Sequence, residues 1–191
     1  MNKYPILAAL ATAAFVAAPF LTDPFTGFAS DAFAVPQDRP PIQPAGYAFS
    51  IWGLIYGWLA VSALAGLTLR RTNAGWHRVQ LPLALSLGPG AAWLWVANLS
   101  PGIATLLIWW MLGTALWALL RAPYADRWLL AAPVGLYAGW LTAAAHVSLG
   151  IWLAGTGLLP SSRAAAFVMI PLAAGIAALV TLRLRWPGAY A

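Results

Sequence analysis

The 191-residue sequence contains no cysteine. That excludes a disulfide framework, a thiolate nucleophile and a thiolate metal site. Charge is nearly as scarce. Only 7% of residues are charged, with 4 acids against 10 Lys and Arg, where a soluble domain carries roughly 25% charged residues. A surface so poor in charge cannot mostly face water. With 62% hydrophobic residues and a mean hydropathy of +0.79, the chain reads as an integral membrane protein in contact with the lipid bilayer. No acid and no Lys or Arg falls in the middle of an apolar run; Asp126 sits at a helix end. Pumps and ion transporters usually carry intramembrane ionisable groups, so that class is disfavoured. HExxH, a phosphate loop, GxSxG and a carboxylate pair are all missing. No catalytic residue, no metal ligand and no required cofactor is therefore assigned. The net charge of +6 does not indicate nucleic acid, because the arginines sit at the ends of apolar runs.

Six apolar segments fill the chain, at about Tyr4–Leu21, Ala45–Leu69, Leu81–Asn98, Gly102–Leu120, Trp128–Leu149 and Ala164–Leu182. Each is near the roughly 17–25 residues that cross a bilayer as a helix. With the N-terminus in the cytoplasm, Lys3, Arg70, Arg71, Arg78, Arg121, Arg127, Arg183 and Arg185 lie inside. Only Arg39 and Arg163 lie outside, and Asp23, Asp31 and Asp38 share the first outer loop. This positive-inside pattern places both termini in the cytoplasm. Thr22–Gln43, rich in proline and aspartate, reads as an extended outer loop. Ala32-Phe33-Ala34 offers small residues for cleavage, but lies well past the first apolar run, which reads as a retained helix. The fold class expected is all-α: a polytopic membrane helix bundle forming a single domain over 1–191.

The conspicuous residue is tryptophan, with 12 copies. Trp76, Trp128 and Trp186 lie near predicted helix ends, where interface anchoring explains them. Trp58 and Trp152 read as lipid-facing or packing residues. Trp52, Trp93, Trp95, Trp109, Trp110, Trp117 and Trp140 fall within spans, where the indole N–H needs a partner that lipid cannot offer. At 100° per residue, Phe49, Trp52 and Tyr56 share one stripe of the second segment. Pro133, Tyr137, Trp140 and Ala144 make another stripe in the fifth. Trp110, Thr114 and Trp117 do so in the fourth, and Trp95 neighbours Asn98 in the third. Converging, these faces would enclose an aromatic-walled pocket for a flat hydrophobic ligand; an ordinary aromatic core is the competing reading. A second face of the fifth segment carries Gly135, Gly139, His146 and Gly150, with GxxxG spacing for close packing. His146 has the chemistry to ligate a haem iron or chlorophyll magnesium, although a lone intramembrane histidine is more often a hydrogen-bonded packing residue.

The stretch Pro44-Ala-Gly-Tyr-Ala-Phe-Ser-Ile-Trp-Gly-Leu-Ile-Tyr56, with its Trp52-Gly-x-x-Tyr56 core, resembles the start of helix two in the TspO/MBR family. These are the tryptophan-rich sensory proteins, bacterial relatives of the translocator protein once called the peripheral benzodiazepine receptor. Pro133-Val-Gly-Leu-Tyr-Ala-Gly-Trp-Leu-Thr-Ala-Ala144 is similar to the family's fifth-helix segment. Trp93 and Trp95 before the Ser100-Pro101-Gly102 turn also fit. The similarity covers about Tyr4–Leu149, which implies a TspO-like five-helix core plus a sixth C-terminal helix at about 164–182. It also implies a frequent homodimer, a location in the bacterial inner membrane, and binding of porphyrins, haem or related tetrapyrroles in a pocket beneath the first loop. Trp52 and Trp140 would wall that pocket. Some bacterial members promote light-dependent breakdown of a bound porphyrin. This chain departs from the family pattern in its sixth helix, in Ser148 where the fifth-helix motif ends in Asn, and in lacking a Trp ahead of Pro40-Pro41. Leu120–Arg127, with Tyr124 between, matches a loose cholesterol-contact pattern.

The expected function is a membrane receptor or carrier for a flat hydrophobic ligand, most readily a tetrapyrrole. The expected ligand-binding residues are Phe49, Trp52, Tyr56, Trp95, Asn98, Trp110, Tyr137, Trp140 and Ala144. A light-dependent porphyrin-degrading enzyme and a structural subunit of a larger membrane complex are the alternatives.

Overall fold

The computed structural model describes residues 3–23 and 25–183, apart from the Tyr124 side chain. Arg185, Trp186 and the C-terminus, whose placements were expectations above, lie outside the described residues. Six helices run in order: α1 (Tyr4–Ala17), α2 (Ile51–Leu67), α3 (Ala74–Leu99), α4 (Pro101–Leu120), α5 (Ala132–Gly155) and α6 (Ser162–Arg183). No strand occurs among the described residues. A 3-10 turn at Gly46–Ser50 extends α2 at its start, and a π-helical turn at Arg127–Ala131 does the same for α5. Five helical segments are long and apolar enough to cross a membrane, while Tyr4–Phe20 is apolar but shorter. The chain is a polytopic helical membrane protein. Its outward faces are oily, with Leu64, Leu106, Phe167 and Leu179 among the exposed side chains, as a bilayer solvent permits.

Two boundaries differ from the sequence reading. Helix α3 begins at Ala74, a full two turns before Leu81, because Asn73 caps it by accepting from the Trp76 amide at 3.2 Å. Trp76, expected at the interface, is instead 1% exposed. Its indole N–H donates to Asp126 Oδ2 at 2.8 Å, and Arg70 grips the same carboxylate at 2.8–3.2 Å. These hydrogen bonds, led by that from Arg70, hold the Asp126 carboxyl below its usual range. Helix α5 continues to Gly155, because no proline follows Leu149 within it and the left-handed turn comes only at Gly157, where φ is +78°.

The single residue Ser100 separates α3 from α4, so these helices run antiparallel. Around the bundle α1 packs on α2, α2 on α5, α5 on α4, α4 on α3 and α3 back on α1, which closes a five-helix ring. An odd ring of alternating helices forces one parallel pair, here α1 and α3. Helix α6 packs outside the ring against α5. There it covers the glycine stripe: a Cβ on Gly150 would lie 2.8 Å from Ile42 Cδ1 and 3.1 Å from Met169 Cγ.

Prolines inside the spans free backbone carbonyls that lipid cannot satisfy. Pro89 has no N–H, so the carbonyl of Leu85, four residues earlier, has no helical donor. The Trp110 indole supplies one from α4 at 3.0 Å. The π-helical turn sets up a second case. Ala132 N–H bonds back five residues to Arg127. In that register Pro133 would have served Trp128. The Trp58 indole from α2 takes the Trp128 carbonyl at 2.9 Å instead. We predict that Trp110→Phe, which strands the Leu85 carbonyl, lowers stability by about 1–3 kcal/mol. In a Pro89→Ala background, where the helix regains its own donor, the same substitution should cost much less. Thermal unfolding in detergent reads this cycle, and equal costs in both backgrounds would refute the pairing argument.

Candidate functional site

The ring encloses a cavity of about 310 Å3 at the end where α1, α3 and α5 finish. Phe15 of α1 forms part of its floor. It meets Trp52 at 5.8 Å, Tyr56 at 5.3 Å and Tyr137 at 5.6 Å between ring centroids, each edge to face. Gly90 of α3 admits that ring, since a Cβ there would sit 3.0 Å from Phe15 Cε2 and 2.9 Å from Met111 Cε. Trp52 and Trp140 stand nearly perpendicular, 83° apart at 6.1 Å, and Trp52 stacks on Tyr56 at 5.4 Å. Offset and edge-on geometries of this kind are the favourable ones for aromatic pairs. Ile108 and Met111 of α4, and Leu141, Ala144 and Val147 of α5, complete the apolar wall.

The loop between α1 and α2 roofs the cavity. Phe25 lies edge-on to Trp93 at 5.0 Å and to Phe28 at 5.4 Å, and both phenylalanines line the cavity. Gly27 holds φ +126°, and a side chain there would strike the Gln43 amide. Gln43 Nε2 donates to the Thr26 carbonyl at 2.9 Å, tying the two ends of the loop together. At its middle, the Val35 amide donates to the Gly155 carbonyl at 2.9 Å. The Phe33 ring packs where a Gly155 side chain would otherwise be.

Polar groups around the cavity are few. Ser148 Oγ and Thr105 Oγ1 share a hydrogen bond at 2.7 Å across α4 and α5. Asp23 and Gln43 stand at the roof, and among the described residues lining the cavity there is no Lys or Arg. The Trp140 indole N–H is buried with no hydrogen-bond partner. Among the described residues no group of three or more His, Cys, Asp or Glu is placed to hold a metal ion.

Five of the residues expected to bind ligand line this cavity: Phe49, Trp52, Tyr56, Trp140 and Ala144. Four do not. Tyr137 lies beneath the floor, fully buried, with its hydroxyl 3.0 Å from Ser86 Oγ. Trp110 is 54% exposed on the outside of α4, held there by the Leu85 carbonyl. Trp95 and Asn98 border a shallow cleft with Phe20 and Leu99, outside the ring. The sequence reading missed Phe15, Phe25, Phe28 and Met111. For Phe15 the signal was the one large aromatic in the alanine-rich second half of the first segment.

A family model described as TSPO-like protein matches residues 3–189, so the chain belongs to that family. No curated protein and no solved structure matches it. The match reaches past α5 and takes in α6, where the sequence resemblance stopped at Leu149.

Gly155→Val should push Phe33 from its seat and loosen the roof. Amide exchange at Val35 should quicken, because its acceptor is the Gly155 carbonyl. Exchange at Leu59 or Leu112 in the core should not change. Unaltered exchange at Val35 would show that the roof does not depend on this contact.

Proposed function

We propose that this TSPO-like protein is a membrane receptor or carrier whose lidded cavity takes a flat hydrophobic ligand, most readily a porphyrin or related tetrapyrrole, for sensing, sequestration or transfer. The observation that carries the reading is the perpendicular pair Trp52 and Trp140, which offers two aromatic walls inside an enclosed apolar space. A planar ring can stack on one wall while its edge meets the other. The unpartnered Trp140 N–H supplies a donor to a ligand acceptor, which would end the cost of leaving it buried and unbonded. Because Asp23 and, among the described residues, no Lys or Arg borders the cavity, acidic substituents gain nothing there. The porphyrin core, rather than its carboxylates, is what the walls recognise.

Titration of a porphyrin, followed by its absorbance and by tryptophan quenching, tests this. Trp52→Ala and Trp140→Ala should each weaken binding by about 1–3 kcal/mol, roughly 5–150-fold. Trp117→Ala should leave binding unchanged, since that ring lies outside the cavity under the Arg121 guanidinium, 4.8 Å from its centroid. The porphyrin dimethyl ester should bind at least as well as the diacid. Equal losses at all three tryptophans would mean general destabilisation, and a strong preference for the diacid would exclude this cavity as the site.

The same reading places the lid on the non-cytoplasmic side of a bacterial inner membrane. Lys3, Arg71, Arg78, Arg121, Arg127 and Arg183 gather at the helix ends opposite the lid, as the chain order of the helices requires. A reporter fused after Ala191 should be active only when it reads cytoplasmic location. Activity on the outer face would overturn the orientation.

A further inference from the structure

A second cavity, of about 360 Å3, lies between α5 and α6. Near the lid these helices close tightly around Gly150, Ile42 and Met169. At mid-height they do not, because Gly139 and Ala143 of α5 face Ala173, Ala174 and Ala177 of α6 across the gap. Small residues on both sides leave space where interdigitating side chains would fill it. The volume falls within the ~300–1,000 Å3 of small-molecule sites. Ile170, in the same wall, is 61% exposed, so the cavity opens sideways toward lipid, and its occupant would arrive from the bilayer.

One ionisable side chain reaches this apolar space. His146 is 3% exposed and lines the cavity. Its Nδ1 lies 2.7 Å from the Thr142 carbonyl. A carbonyl only accepts, so Nδ1 carries the proton, and Nε2 of the neutral ring is a lone-pair acceptor. No described residue donates to Nε2. Trp109 of α4 packs against the imidazole at 4.9 Å, with the ring planes 60° apart, and so fixes the ring's position. The other polar side chain in the wall, Thr142, gives its hydroxyl to the Ala138 carbonyl at 2.9 Å. Nε2 thus faces an apolar cavity that offers it no donor, and forgoes the hydrogen bond it would make in water. The molecule that restores that bond must be apolar over most of its surface and carry one hydrogen-bond donor.

We propose that the α5/α6 cavity is a second binding site, for a small apolar alcohol or phenol whose hydroxyl donates to His146 Nε2. The site is separate from the lidded cavity and stands whether or not that cavity takes a porphyrin. The probe is a diazirine-bearing alkylphenol, photolysed with the full chain in detergent, with cross-links mapped by peptide mass spectrometry. Its methyl ether, which has the same shape and no donor, is the control. Labelling should fall on residues 139–147 and 169–177, and the ether should label them at least about threefold less, the loss expected for one hydrogen bond. His146→Phe keeps a flat ring and should reduce the phenol to the level of the ether. Ala173→Leu, which fills the cavity, should suppress both probes. Porphyrin titration of the same variants reports on the lidded cavity independently. Equal labelling by phenol and ether, or phenol labelling unchanged in His146→Phe, would overturn the proposal and leave a lipid-filled groove. So would a haem Soret shift that is lost in His146→Phe, which would assign Nε2 to a metal. If His146→Phe does not fold, the phenol and ether comparison on the unaltered chain decides the matter, with Ala173→Leu marking the place.

Discussion

The Phe15 ring is the contact on which the bundle depends. It touches aromatics of α2 and α5 at 5.3–5.8 Å and rests on Gly90 of α3. One side chain from the shortest helix therefore links three others. It does so directly beneath the cavity, so ring closure and cavity floor are the same set of contacts. Helices in a bilayer gain little from burying apolar surface, because lipid tails are as apolar as leucine. Association must come from close, specific packing. A large ring set into a glycine notch is one way to obtain it, and Gly90 is a requirement of that notch rather than of any turn.

The second constraint is the backbone carbonyl in lipid. Pro89 and Pro133 each remove a donor, and an indole from a neighbouring helix replaces it in both places. This gives several tryptophans a task unrelated to ligand. Trp110 and Trp58 are interhelical donors, and Trp76 belongs to the Arg70–Asp126 cluster. Trp93 likewise bonds the Ala104 carbonyl at 2.9 Å while lining the cavity. Trp140 is different. It is in the wall, half-buried, and its buried indole N–H has no hydrogen-bond partner. Where Trp58, Trp93 and Trp110 each find a carbonyl on a neighbouring helix, a buried indole N–H left without one is informative. Trp109, whose indole N–H is likewise buried without a partner, packs on His146 beside the second cavity.

Helix number and approximate span were legible because hydropathy and the placement of basic residues do not depend on packing. The face each helix turns inward was legible only where a motif marked it. Phe49, Trp52 and Tyr56 stand on one stripe, and Trp140 with Ala144 on another, and all five line the cavity. For α4 the stripe Trp110–Thr114–Trp117 was chosen, yet Ala104, Ile108, Met111, Ala115 and Ala118 point inward. Both faces of α4 are apolar, so no amphipathic signal separates protein from lipid. Only the Pro89 gap in α3 explains why Trp110 belongs outside, and that pairing joins residues 25 positions apart. The roof was equally hidden. The pairings of Phe25 with Trp93 and of Phe33 with Gly155 follow no local period.

The two ends of the bundle are closed by different physics, and this bears on how a ligand would move. Below the cavity, Ile55, Leu59, Leu87, Leu112 and Tyr137 are fully buried. Beyond them the Arg70–Asp126–Trp76 cluster joins α2, α3 and the turn before α5 with charge-assisted hydrogen bonds. Passage that way would require opening a dry core and separating an ion pair at once. The roof, by contrast, is held by edge-on phenylalanine contacts and a few loop hydrogen bonds, some of them exposed to solvent. Each is worth little and can be remade after a short excursion. Such an asymmetry favours exchange of ligand on the lidded side over movement through the bundle. It is therefore consistent with the receptor or sequestering carrier proposed above rather than with a channel.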